Sequence, residues 1–251
     1  ILKENFGGDF MSISRKVPAW AVGENYELTK TQWLLLFHLL SISKWNNEEK
    51  EKHYFVYAKN VKYTEIAREL NFSTYLPIKK AMDGLLQTDL VEYCSGVRPF
   101  YKIEIPFPYI VMNTSIVKAF YNFSSVINIV TSLRAFSILA QMYKYDEKEF
   151  SLSLICKMMN LQRKKTTMEE LWIMLNIWKE MGIIEYEEIN YTNRLGKKCI
   201  KYMIKNIYPK KEIDIEKYFN EDSQEDKSAK IYEKLKDDFE KDFGIHRVNW
   251  E

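Results

Sequence analysis

The longest apolar segment of the chain predicts a buried central helix. Apolar residues fill residues 33–40, and only His38 interrupts them. Thr29 and Gln32 precede this run at the spacing of a capping box, in which each side chain accepts a hydrogen bond from the other residue's backbone N–H. We therefore predict a helix over residues 30–44 that is apolar nearly all round and buried.

A short helix, a break and a longer amphipathic helix follow. The first helix, which Asn60 would cap, has apolar residues at i, i+3, i+4 and i+7. These residues are Tyr63, Ile66, Ala67 and Leu70. The second helix begins at Ser73 or Thr74 and carries Pro77 in its first turn, where a missing N–H costs little. Its inward face consists of Ile78, Ala81, Met82 and Leu85. The pattern indicates a helix-turn-helix.

β-Forming residues flank this pair of helices. Residues 53–59 predict a short strand before the pair, and the polar residues 45–52 ahead of it predict a solvated loop. Residues 89–94 and 100–105 predict a β-hairpin after the pair, with residues 95–99 at its tip. The resulting order is helix, strand, helix, turn, helix, strand, tip, strand.

A second unit begins with the same elements. Thr131 starts a helix that runs to about residue 145, and a short strand is predicted near residues 149–150. Ser151 then caps a helix that ends at Asn160. The second unit therefore opens with a helix, a strand and a helix, as the first one does.

The rest of the second unit also follows the order of the first. Thr166 and Glu169 have the spacing of a capping box, and Gly182 ends the helix that this box would open. Residues 183–190 and 199–208 predict a second hairpin.

The two units align at a period of about 90 residues. Asn71 and Phe72 fall opposite Asn160 and Leu161, and the first strand of each hairpin also aligns. A fixed order of elements at a fixed period indicates duplicated domains.

The chain accordingly divides into five segments. An N-terminal arm (residues 1–27) precedes domain 1 (residues 28–108). A linker (residues 109–127), with a helical piece around residues 116–121, leads to domain 2 (residues 128–209), and a charged tail (residues 210–251) follows. In the tail, apolar residues recur every four positions, at Ile231, Leu235, Phe239 and Phe243. They predict a peripheral helix over residues 228–243, docked by a thin stripe or partly disordered.

The composition is that of a chain able to bury a sizeable core. Of its 251 residues 46% are hydrophobic, and only 8 are Gly and 6 are Pro. No apolar run approaches the roughly 20 residues that a membrane helix needs. Cys94, Cys156 and Cys199 stand singly without a CxxC pair, and no secretory segment is recognisable at the N-terminus. We therefore expect a cytoplasmic protein without a membrane partner.

The charge is unevenly distributed. The tail has nine basic and thirteen acidic residues, a net charge of −4, which leaves +6 for residues 1–209. A basic body with an acidic tail is compatible with a nucleic-acid partner.

The sequence carries no recognisable catalytic motif. It has no GxxxxGK[ST], GxGxxG, GxSxG or HExxH. His38, His53 and His246 lie in separate elements without metal-ligand spacing or the pairing that a nicking tyrosine requires. We expect no enzymatic activity, no cofactor and no metal site.

A helix-turn-helix followed by a β-hairpin is the winged-helix plan, and two such units in tandem resemble the replication initiators of plasmids and some phages. The resemblance covers residues 28–208 and is one of pattern, because the family has no short invariant motif. Residues 60–93 are also similar to the N-terminal domain of Gram-positive plasmid initiators. The resemblance implies a mainly α protein with small β-hairpins (α+β), built from two tandem winged-helix domains and a charged helical tail.

The resemblance also implies which residues contact double-stranded DNA, since the second helix of each turn enters the major groove and the hairpin tips act as wings. In domain 1 these residues are Ser73, Thr74, Tyr75, Lys79, Lys80 and Arg98. In domain 2 they are Gln162, Arg163, Lys164, Lys165, Thr166, Thr167, Arg194, Lys197 and Lys198. We expect domain 2 to be the main reader because three consecutive cations meet its helix start. A solvated face is the alternative interpretation of each cationic group.

The function implied by the resemblance is sequence-specific binding to repeated origin sites of a plasmid or phage-like element. Dimeric and monomeric forms would do different work, and the tail would recruit host replication proteins. A winged-helix transcriptional regulator is the alternative, and a protein-interaction scaffold is a third interpretation from another class.

Overall fold

A computed structural model describes residues 14–18, 28–46, 53–105, 109–123, 128–146, 148–196, 198–214 and 224–241. The chain is about 50% helical, and 23% of it forms strands in small antiparallel sheets. This composition confirms the predicted α+β class.

Two groups of elements share one order. The first comprises α1 (Lys30–Ile42), β2 (Lys44–Asn46), β3 (His53–Tyr57), α2 (Tyr63–Glu69), α3 (Leu76–Leu85), β4 (Val91–Cys94) and β5 (Phe100–Ile103). The second comprises α5 (Ile129–Lys144), β7 (Glu149–Phe150), α6 (Leu152–Met158), α7 (Lys165–Glu180), β8 (Ile184–Thr192) and β9 (Lys198–Ile207). β1 (Ser14–Pro18) precedes both, β6 (Tyr109–Asn113) and α4 (Thr114–Asn122) join them, and α8 (Gln224–Phe239) follows.

Three antiparallel sheets contain the strands that the structure describes. Their orders are β2-β3-β5-β4, β7-β9-β8 and β1-β6. The pair β1-β6 joins the N-terminal arm to the predicted linker, with Ser14 opposite Asn113. Strand β2 lies partly within the predicted solvated loop, because Trp45 pairs with Tyr54 and packs its ring 4.7 Å from the tyrosine ring. The remainder of that loop, residues 47–52, lies outside the described residues.

Two predicted helix caps are confirmed. The Gln32 N–H donates to Thr29 Oγ1 at 3.3 Å, and the Thr29 N–H donates to Gln32 Oε1 at 2.7 Å, which completes the capping box. Ser151 Oγ accepts from the Leu154 N–H at 3.1 Å. Both caps are local interactions within one turn.

Other predicted helix starts are wrong. Asn60 lies in a 3-10 turn, and α2 begins only after Lys62. Asn128, not Thr131, caps α5, because its Oδ1 accepts from the backbone of Val130 and Thr131. Helix α3 begins at Leu76 because residues 73–75 form bends. Helix α7 begins at Lys165, so Thr166 lies inside the helix and forms no capping box with Glu169.

A continuous hydrophobic core runs through both groups of elements. Every residue from Trp33 to Leu40 is buried, as predicted, and α1 packs against α3, α4 and α5. The predicted linker is therefore part of the core. It is also tied to the end of the second group, because the Asn113 N–H donates to the Pro209 carbonyl at 2.8 Å and the Ile213 N–H donates to Ser115 Oγ at 2.9 Å.

Helix α8 docks on α7 through the predicted stripe. Leu235 and Phe239 are buried, and the Phe239 ring lies 5.6 Å from the ring of Trp172. Phe243, the last residue of the predicted stripe, lies outside the described residues.

Two further properties can be stated for the described part of the chain. None of its helices has both the length and the apolar character needed to cross a membrane. In the same ranges, no three His, Cys, Asp or Glu side chains gather in a group that could hold a metal ion.

Candidate nucleic-acid interface

The turns between α2 and α3 and between α6 and α7 have the same backbone conformation. Asn71 and Asn160 adopt left-handed φ angles of 57° and 56°. The N–H of the next residue then donates to a carbonyl of the preceding helix at 2.8 Å, from Phe72 to Ala67 and from Leu161 to Cys156. Asparagine tolerates this conformation better than most residues. Each turn thus ends one helix and sets the start of the next.

Helix α3 has one buried and one exposed face. Ile78, Ala81, Met82 and Leu85 are buried against α1 and α2. Five of the predicted DNA-contacting residues, all exposed, lie on the other face or in the bends before it: Ser73, Thr74, Tyr75, Lys79 and Lys80. Among the described residues neither lysine forms an ion pair. The exposed face of α3 also carries Asp83 and Leu76, so its net charge is +1 and it is only partly polar.

The start of α3 leaves its backbone donors uncapped. Tyr75 occupies the N-cap position without a side-chain hydrogen bond, and Pro77 follows within the first turn. Helix N-terminal N–H groups of this kind attract phosphate through hydrogen bonding and the helix dipole. The bends at residues 73–75 place hydroxyl groups directly beside these donors.

Arg98 lies at the tip of the β4-β5 hairpin. It is exposed, and in the described ranges it has no ion-pair partner. The Ala58 N–H donates to the Pro99 carbonyl at 2.9 Å, which fixes the base of the tip against the end of β3. The guanidinium is thus carried on an anchored turn.

In the second group the cationic segment is a loop that leads into α7. Gln162, Arg163 and Lys164 are exposed in this loop, and Lys165 and Thr166 are exposed in the first turn of the helix, with Thr167 half-exposed. Arg194 is exposed at the tip between β8 and β9, and Lys198 opens β9. Lys197 and the side chain of Lys198 lie outside the described part of the structure.

Helix α7 is buried on nearly every side. It contacts α5, α6, α8 and β8, and Trp178 packs 5.7 Å from Phe120 of α4. Residues expected to face solvent on an exposed helix, such as Ile173 and Ile177, are buried. Lys165 Nζ lies 2.5 Å from Glu240 Oε1 at the end of α8. Beyond the loop and the first turn, the described side chains of α7 that remain exposed are Glu170, Lys179 and Glu180.

The pKa shifts near the start of α7 arise mainly from burial. Burial raises the pKa of the Cys156 thiol, against the opposing effect of Arg163, so the thiol stays protonated at neutral pH. Its Sγ lies 3.7 Å from Met168 Sδ in the core. Burial first, and then the Glu169 carboxylate, raise the pKa of Tyr232 on α8.

The outer face of the four-stranded sheet carries residues that the sequence did not single out. His53, Phe55 and Tyr57 alternate along β3 on this face, with Phe100 paired beside Tyr57. Lys44 and Lys59 lie next to them. The alternation of residues along β3 could have indicated this face from the sequence, although alternation alone does not identify a ligand.

Comparison of the chain with protein families, with curated proteins and with solved structures finds no match.

Proposed function

We propose that the chain is a sequence-specific double-stranded DNA-binding protein built from two tandem winged-helix units. It would start replication of a plasmid or phage-like element by binding repeated origin sites and recruiting host factors. The observation that carries the proposal is α3, where two lysines that form no ion pair within the described ranges lie near three hydroxyl-bearing residues and an uncapped helix start. The β4-β5 hairpin with Arg98 would act as its wing.

The burial of α7 favours α3 as the helix that lies in the major groove. A groove about 12 Å wide admits a helix whose outward face is free along several turns. Helix α7 exposes its first turn and few other side chains, and Lys165 in that turn is already paired with Glu240. We therefore assign the main reading role to the first unit and phosphate contact to the loop with Arg163 and Lys164.

Binding of labelled duplexes that contain the repeats of the element's origin tests this proposal. The double variant Lys79→Ala, Lys80→Ala should weaken binding and reduce the slope of log affinity against log salt by about one for each phosphate that is no longer neutralised. Lys234→Ala on α8, also an exposed lysine of a helix, is the matched control and should leave both unchanged.

The results distinguish the proposed functions and also test whether α3 is the helix that contacts DNA. Equal affinity for the repeats and for shuffled duplexes would contradict sequence-specific binding. If the Lys79 and Lys80 variant binds like the parent, α3 is not the reading helix. A replicon assay in cells with the same variant separates an initiator, which would lose plasmid maintenance, from a regulator, which would change transcription alone.

A further inference from the structure

The four-stranded sheet has an aromatic outer face. On its inner face Tyr54, Val56 and Ile103 are buried in the core. His53, Phe55 and Tyr57 alternate with these residues and so lie on the outer face, where Tyr57 pairs with Phe100 of β5. Phe55, Tyr57 and Phe100 are half-exposed, whereas His53 at one end is buried. The outer face therefore has ring surface available that the core does not use.

The rings form a connected run. The centroids of Phe55 and Tyr57 are 5.3 Å apart, those of Phe55 and Phe100 are 5.8 Å apart, and the His53 ring stacks on Phe100 at 6.2 Å. Cross-strand aromatic pairs stabilise a sheet in any context. A half-exposed run of rings is in addition the kind of platform on which nucleobases stack.

Three cations lie along this run. Lys44 Nζ lies 5.9 Å from the centre of the Tyr57 ring. Lys59 follows Tyr57 in the chain, and Arg98 lies on the adjacent hairpin tip. Across the described ranges none of the three forms an ion pair. This end of the face therefore complements a polyanion.

The carboxylates nearby do not cancel this charge. Glu92 and Glu104 both pair with Lys102, at 4.0 Å and 2.7 Å, so these three side chains carry a net charge of −1. With Lys44, Lys59 and Arg98 the charges of these six described residues sum to +2.

A cavity of about 370 Å³ adjoins the exposed end of the aromatic run. It is lined by Tyr57, Lys59, Val97, Arg98 and Pro99. The cavity thus combines one aromatic ring with two cationic side chains, and its volume falls in the range of small-ligand sites. This combination suits one nucleotide unit, with its base on the Tyr57 ring and its phosphate at Lys59 and Arg98.

We propose that the outer face of this sheet binds single-stranded DNA. The strand enters at the cavity beside Tyr57 and continues over Phe55 and Phe100. A duplex is not the ligand here, because paired bases hide their faces in the helical stack. The inference goes beyond the proposed function, since it concerns a different form of DNA and a surface that shares only Arg98 with the duplex site, and it holds whether or not α3 reads a duplex.

Fluorescence anisotropy of a labelled oligo-dT of roughly 12 nucleotides at about 50 mM salt tests the site. The full chain should bind this oligonucleotide. Tyr57→Leu, which keeps apolar bulk but removes the stacking ring, should weaken binding about tenfold. The double variant Lys44→Gln, Lys59→Gln changes two exposed side chains, so it decides the question if Tyr57→Leu fails to fold. It should weaken binding severalfold and flatten the salt dependence, with a slope change of about 0.7 for each phosphate that loses its cation.

The double variant Lys230→Gln, Lys234→Gln on α8 removes two exposed lysines outside both proposed sites, so it is the matched control and should bind oligo-dT like the parent. Competition with free thymidine monophosphate separates a strand site from a mononucleotide site, and a strand site requires that the monophosphate compete far more weakly. Absence of oligo-dT binding, unchanged binding in both test variants, or an equal loss of duplex binding in them would each overturn the inference. Oligo-dT binding without duplex binding would refute the proposed function and leave this inference standing.

Discussion

His38 should make the stability of the protein depend on pH below neutrality. Its side chain is 4% exposed in the centre of α1, and its Nδ1 lies 3.4 Å from Glu69 Oε2. Burial, and then the charge of Lys118, lower the pKa of this imidazole to about 4. The contact with Glu69 is therefore not an ion pair at neutral pH, because the cost of burying the charged imidazole exceeds the attraction of the carboxylate.

The sign and size of the effect follow from proton linkage. The unfolded chain binds a proton at His38 near pH 6.5, whereas the folded chain binds it only near pH 4. The stability contributed by the neutral imidazole is thus fully present above pH 6.5 and is lost as the pH falls towards 4. The lowering of the pKa from 6.5 to about 4 corresponds to about 3 kcal/mol in the free energy of unfolding.

Urea unfolding at about pH 7 and about pH 4 measures this loss. His38→Gln removes the titrating group, so the parent should lose about 3 kcal/mol more than this variant over the interval. His246→Gln, which lies outside the described residues, controls for the removal of a histidine. The free energy of unfolding of each protein is compared between the two pH values, so any constant loss of stability caused by the His38→Gln substitution itself cancels. Parallel pH dependences in the parent and in His38→Gln would refute the reasoning.

Three other changes test the fold. Asn71→Ala and Asn160→Ala should each cost about 1 kcal/mol in urea unfolding, because alanine is strained at these positive φ angles, whereas glycine should be tolerated. Met82→Ala should cost roughly 2–5 kcal/mol, since this side chain is fully buried, with exposed Lys79→Ala as its near-neutral neighbour. Phe239→Ala should release α8, detected as faster proteolysis of the tail, and a single cooperative loss of all helix would contradict local docking.

Local patterns were sufficient to predict most helices and strands. Thr29 and Gln32 form the capping box because both residues lie within one turn and nothing distant competes. The same motif at Thr166 and Glu169 fails because the helix starts at Lys165, which places Thr166 inside its first turn.

Contacts between distant segments could not be predicted from the pattern. Strand β1 pairs with β6, almost a hundred residues away, and the β-forming Tyr109, Ile110 and Val111 do not indicate which strand they pair with. The burial of Ile173 and Ile177 depends on packing partners that no local pattern of α7 identifies. The candidate site in the second group has the same limit. The sequence shows the cations before α7, but it does not show which helices pack around α7.

The contact between Lys165 and Glu240 would change the free energy with which a nucleic acid binds at the start of α7. A lysine that faces water gains affinity for phosphate largely because small cations condensed on the nucleic acid are released into solution. At Lys165 the phosphate must first displace a carboxylate that α8 holds at high effective concentration. If the loop before α7 binds a phosphate as proposed, part of that entropic gain would be offset by the loss of the Lys165–Glu240 contact. The tail would then shift the ionic-strength range over which this end of the molecule binds a polyanion.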